Sequence, residues 1–197
     1  MQPQVHPDAE TIVDFWFGAP DSPEHGTARS VWFAKDAAFD AEIRERFGAL
    51  VEQALRGELD GWGDAPRSAI AHVLLLDQFT RNAFRDTPRA FAGDPRALAA
   101  AARMVGLRQD EALPTFMRGF VYLPYEHAEG LAMQDEAIRL LMRLAAADPA
   151  QQSMLDYAYK HRAVIERFGR FPHRNAILGR RSTAEELEFL RQPGSRF

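Results

Sequence analysis

Residues 66–84, PRSAIAHVLLLDQFTRNAF, constrain the fold more than any other stretch of the chain. Pro66 suits the first position of a helix, where a missing N–H costs nothing. Beyond it, Val73 to Leu76 and Phe79 leave almost no polar face, so the helix they form belongs in a buried, central position. Asp77 interrupts that apolar run. A carboxylate taken out of water is costly unless it is paired. Arg81 follows one turn later and Arg85 a turn after that, drifting only about 40° per step, so the three share one face.

The remaining periodic segments also read as helices. Asp8 is expected to cap a helix through about Phe17, ended by Gly18-Ala-Pro, with residues 20–29 as a polar loop. Asp36 begins a longer helix with Phe39, Ile43, Phe47, Leu50 and Ala54 along one side and Gly57 near its end. Asp94 caps and Pro95 starts the helix that Gly106 stops. Pro124 is expected to open the longest helix, through residue 146. Residues 149–169 form the next, with Gly169 as its C-terminal cap. Ser182 and Glu185 match a capping box that opens residues 182–192. No convincing alternating strand is present, and Phe120–Leu123, the nearest candidate, is too short and isolated to carry a sheet. About seven helices joined by short loops predict an all-α protein of antiparallel helix pairs, a single domain over residues 1–197.

Composition narrows the function classes. Apolar residues at 46% and charged residues at 26% fit an ordered globular chain. A net charge of −4 argues against general affinity for nucleic acid or anionic membrane. The absence of cysteine excludes disulfides, thiolate metal sites and cysteine nucleophiles. The N-terminal MQPQVHPDAE lacks the regions of a signal peptide, and VLLL is far too short to span a bilayer. A cytoplasmic location is the expectation.

Three stretches together resemble one family: LLLDQFTRNAFRDTPRAFAGDPRAL (74–98), FVYLPYEHAEGLAMQ (120–134) and HRAVIERFGRFPHRNAILGRRSTAEELEFL (161–190). They are similar to the bacterial DUF924 family, a domain of unknown function, and the resemblance runs from about residue 8 to 192. It implies a tetratricopeptide-like, right-handed superhelical array of helix pairs. It implies no activity, and the tetratricopeptide consensus itself is absent, so peptide binding does not follow from the fold.

Several residues have a chemistry worth weighing. Asp77, Arg81 and Arg85 form either a structural ion pair or an acid that holds an arginine rigid to receive an anion. Glu126, in the first turn of a helix started by Pro124, suits the helix dipole. His127 points about 100° away from it, so the two do not make one bidentate site. A zinc helix motif needs two histidines four apart, and a di-iron bundle needs Glu three before His, where this chain has Pro124. No metal and no cofactor are expected. His161 shares a helical face with Tyr157, Val164 and Phe168, which reads as a hydrogen-bonded core position. His72 likewise reads as packed.

Charge is spread unevenly. Residues 8–60 hold twelve acidic residues against five basic, whereas residues 160–182 hold seven basic residues against Glu166 alone. The densest part is RFGRFPHRNAILGRRST, residues 167–183. Phe171, Ile177 and Leu178 tuck this connection into the body, so Arg170, His173, Arg174, Asn175, Arg180 and Arg181 project from an anchored backbone. Internal pairing, with acids of the N-terminal half or with a helix C-terminus, is one reading. The other is an anion pocket of planar, bidentate guanidinium donors.

The leading expectation is a protein that binds a small anionic ligand or an acidic peptide segment through Asp77, Arg81, Arg85, Arg170, His173, Arg174, Asn175 and Arg180. A second is an enzyme acting on an anionic metabolite, with His127, His161, His173 or Glu126 as the candidate catalytic groups. A third is a protein-interaction scaffold. No P-loop, Rossmann glycine pattern or nucleophile elbow appears.

Overall fold

The computed structural model describes residues 5–195, and among them the regular elements are all helical. The expectation about a leader rests partly on residues 1–4, which lie outside the described residues. α1 spans Pro7–Phe17 and α2 Ala37–Arg56. α3 (Pro66–Leu74), a π turn (Leu75–Phe79) and α4 (Thr80–Ala83) follow without a break. Then come α5 (Asp94–Gly106), α6 (Thr115–Glu126), α7 (Leu131–Ala147), α8 (Gln152–Phe168) and the short α9 (Ala184–Phe189).

The apolar helix lies where its pattern requires. Ser68 to Thr80 are buried without interruption, and α3 packs against α1, α5 and α6. Around it Trp16, Phe17, Phe39, Phe47 and Phe79 form an aromatic core, with Trp16 5.3 Å from Phe79 and edge-on to Phe120 at 5.8 Å. α7 packs against both α6 and α8, an arrangement compatible with stacked helix pairs. No helix of the described residues is long and apolar enough to cross a membrane.

Phe120–Leu123 forms no strand, as expected, and lies inside α6. The structure corrects four local expectations. Pro124 sits near the end of that helix rather than at the start of the next, and α7 begins at Leu131. Pro124 cannot donate to the Phe120 carbonyl four residues back, and the helix ends two residues later. α1 is capped by His6, whose ring accepts from the Asp8 N–H at 3.2 Å, with Asp8 in the first turn. Asp94 is the first residue of α5 rather than its cap, which leaves its carboxylate free for side chains. The capping box is Thr183 with Glu186, one residue beyond the expected pair.

The start of α5 comes very close to the π turn. A Cβ at Gly93 would meet the Leu76 carbonyl oxygen at 2.1 Å, whereas the backbone angle there (φ −84°) is ordinary. Gly93 is therefore required by clearance. Gly93→Ala should lose about 1–3 kcal/mol in chemical denaturation, the usual cost of forcing atoms into a packed interior. Gly48→Ala, which meets nothing within 4 Å on α2, should instead gain a few tenths to about 1 kcal/mol. Equal behaviour of the two variants would contradict this reading.

Candidate functional site

The site is built around the π turn. An extra residue in one helical turn redirects the side chains that follow it, and such turns are frequent at functional sites. Asp77 sits in the middle of this one, 1% exposed. Its carboxylate lies 2.7 Å from His127 Nδ1 and 3.1 Å from Arg81 Nη1, and it accepts a hydrogen bond from Gln78 Nε2. Burial alone pushes the Asp77 carboxyl up. Arg81, His127 and Gln78 overturn that and hold it well below the usual carboxylate range.

His127 follows the last residue of α6, on the turn into α7. Gln134, fully buried on α7, fixes that turn by donating to the carbonyls of Glu126 (2.6 Å) and Ala128 (2.8 Å). Burial lowers the His127 pKa, with Asp77 opposing, so the ring is neutral near pH 7. Because Asp77 is ionised, Nδ1 must carry the proton and donate it to the carboxylate. Nε2 then carries the lone pair on a residue that lines the cleft, the arrangement of a proton acceptor held in one tautomer by an acid.

Two guanidinium groups share a second acid. Asp94 Oδ1 is 2.9 Å from Arg81 Nη1, and Asp94 Oδ2 is 3.2 Å from Arg174 Nη1. Arg174 is 6% exposed and lies over the rings of Phe91 (4.8 Å) and Phe171 (4.6 Å), while its Nε has no hydrogen-bond partner. Burial, and then the nearby Arg81, lower its pKa to about 10. Arg85 turns from Asp77 to Asp40 of α2, which it grips with Nε at 2.5 Å and Nη2 at 2.8 Å, and Asn82 donates to the same carboxylate. The shared helical face thus splits between two acids.

Arg81, Arg85, His127, His161, His173 and Arg174 line one cleft of about 270 Å³. The four other expected ligand residues, Asp77, Arg170, Asn175 and Arg180, lie outside that lining and are engaged internally. Arg170 binds Glu186 at 2.6 and 2.8 Å, which holds that carboxyl down to about 2. Arg180 binds Glu129 at 2.6 and 2.9 Å, and Asn175 ties Arg180, Ser182 and Glu186 together. The basic segment does pair internally, but with Asp94, Glu129, Glu185 and Glu186 rather than with acids of residues 8–60.

His161, 5% exposed, lies 2.8 Å from Glu126 Oε1 and 3.0 Å from the Tyr157 carbonyl through Nδ1. Glu126 therefore closes the end of α6 beside a histidine instead of occupying a first turn. His72 is buried as expected, 3.9 Å from Asp60. Among the described residues, no group of three or more His, Asp or Glu is placed to hold a metal ion. Asp94, Asp40 and Gln134 escaped the sequence reading. Only Asp94 stood in a recognisable pattern, and there Gly-Asp-Pro looked like a cap.

An all-helical chain with an Asp–His pair and clustered arginines in a cleft defines the class. The chain belongs to the family described as bacterial protein of unknown function (DUF924), whose model matches residues 12–194. It is similar to a solved protein of unknown function, ATU0120 from Agrobacterium tumefaciens, with 43% identity, a TM-score of 0.80, and coverage of 92% of this chain and 96% of that one. No curated protein matches it.

The buried histidines give stability a defined pH dependence. Burial, with Arg174 adding to it, holds His173 down to about 3, and burial lowers His72 and His127 too. On unfolding each returns toward its ordinary value near 6.5. The unfolded chain therefore binds protons that the folded chain refuses, and stability present above pH 6.5 is lost as pH falls. Between pH 7 and 5, denaturation free energy should drop at up to about 1.4 kcal/mol per pH unit for each such histidine. His173→Gln should make that slope shallower by up to one histidine's share. An unchanged slope would refute the assignment.

Proposed function

We propose that the cleft binds a small anionic molecule, received by Arg174, Arg81 and Arg85, with His127 Nε2 as the proton-accepting contact. The observation that carries this reading is Arg174. Its guanidinium is buried, fixed by Asp94 and two aromatic rings, and keeps an N–H without a protein acceptor. A buried donor left unsatisfied costs about 1–3 kcal/mol, which a bound oxyanion would remove. The space of about 270 Å³ suits a small molecule better than a peptide segment.

The Asp77–His127 pair supports a second reading, an enzyme acting on such an anion with His127 as general base. A ligand that is released chemically unchanged argues for binding alone, and one that is converted argues for the enzyme.

The test is thermal stabilisation of the full chain by sulfate and inorganic phosphate at millimolar concentration. Binding to the folded state alone raises stability by about 1.4 kcal/mol at ten times Kd. Arg174→Lys keeps the charge and loses the planar fork, so binding should weaken about tenfold. Arg191→Lys, at an exposed surface pair, should leave it unchanged. No shift with any anion, or an equal shift in Arg174→Lys, would overturn the proposal.

A further inference from the structure

A second cavity, of about 330 Å³, borders His127. It shares Phe33, His127 and His161 with the arginine cleft, so those side chains border both spaces. Their characters differ. The first presents guanidinium groups. The second is walled by Leu123, Met154 and Tyr157, with the aromatic face of Phe33 at the junction. Phe33 is 68% exposed, a large apolar side chain held at the mouth of a polar cleft.

One residue that lines the second space has a polar atom without a partner. Glu126 is 2% exposed, and its Oε1 lies against His161, but its Oε2 makes no hydrogen bond. A carboxylate oxygen removed from water and left without a donor is strongly unfavourable. An apolar wall around such an atom fits a ligand that brings the missing N–H or O–H on an apolar body. With His127 bordering both spaces, the donor-rich arginine cleft and the acceptor on Glu126 therefore read as the two ends of one site.

Resting on the anion site proposed above, we propose that the ligand is an organic anion with a compact apolar body that carries a hydrogen-bond donor at its far end. The anionic group meets Arg174 and Arg81. The body passes His127 into the space between Phe33, Leu123 and Met154. The donor reaches Glu126 Oε2. His127 then lies beside the junction of head and body.

The test is calorimetric titration of the full chain with acetate, phenylacetate and 3-phenylpropionate, and with the 4-hydroxy forms of the two aryl acids. Burying the ring should strengthen binding about tenfold or more over acetate. The hydroxyl should add about tenfold more through a charge-assisted hydrogen bond. Ser153 lines the second space from an exposed position on α8, so Ser153→Trp narrows that space without disturbing the core. It should abolish the gain from the ring and leave acetate binding unchanged. Glu126→Gln should reduce the gain from the hydroxyl alone.

The outcomes separate the two proposals. If acetate and sulfate bind but the ring adds nothing, or its gain persists in Ser153→Trp, the two-ended site is overturned and the anion site stands. If the hydroxyl gives no gain, the donor at Glu126 is overturned. If none of these anions binds, both proposals fall.

Discussion

The ion-paired carboxylate of Asp77 is the constraint on which the rest of the site depends. It sits in a helix buried without interruption from Ser68 to Thr80, where an unpaired charge would be untenable. Its partners arrive from separate elements: Arg81 from the next turn, Gln78 alongside it, and His127 from the end of α6. Removing one partner of a buried pair typically costs about 3–5 kcal/mol, because the remaining charge is stranded. The pair therefore fixes where the end of α6 stands against the central helix. Gln134 then locks the turn from the other side through the carbonyls of Glu126 and Ala128.

The same logic explains the basic segment. Concentrated positive charge in an acidic protein first suggests a bound polyanion. Most of that charge is answered within the fold: Arg167 by Glu185, Arg170 by Glu186 and Arg180 by Glu129. Glu129 also accepts the Phe171 N–H at 2.7 Å, so the pairing anchors the loop backbone as well as its side chains. These pairs tie the connection to the body of the fold. Arg174 differs because the anchored loop carries it inward against Phe91 and Phe171, to share an acid already bonded to Arg81.

The fold was largely legible because its signals are local. Apolar periodicity, Pro66, Gly57 and Gly169 mark α2, α3 and α8 without reference to the rest of the chain. α6 was missed because its only conspicuous residue, Pro124, usually starts helices, whereas here it nearly ends one. For the site, Asp77, Arg81, Arg174 and the three histidines were visible as residue types in conspicuous surroundings. The pairing was not visible. Asp94 joins Arg81 to Arg174 across 80 residues, and Asp40 takes Arg85 across 45. Such partners depend on packing, which no local pattern encodes. The π turn was equally hidden, since its sequence differs in no evident way from that of an ordinary buried helix.

Charge balance at the cleft shows why a cluster of internal ion pairs can still be a receptor. Asp77, Asp94 and Asp40 offset Arg81, Arg174 and Arg85 in number, so the site does not attract anions by net charge. The offset is uneven in space. Asp40 serves Arg85 in a two-point grip, while Asp94 is divided between two guanidinium groups and Asp77 between Arg81 and His127. Arg174 receives the least, and burial with a cation for a neighbour lowers its pKa to about 10, against the ordinary tendency of a paired arginine to rise. An anion placed beside it would reverse both causes at once, by supplying opposite charge and an acceptor for the unpartnered Nε. The strain is thus localised on one side chain at the wall of the cleft, which distinguishes this cluster from the satisfied pairs that anchor the loop.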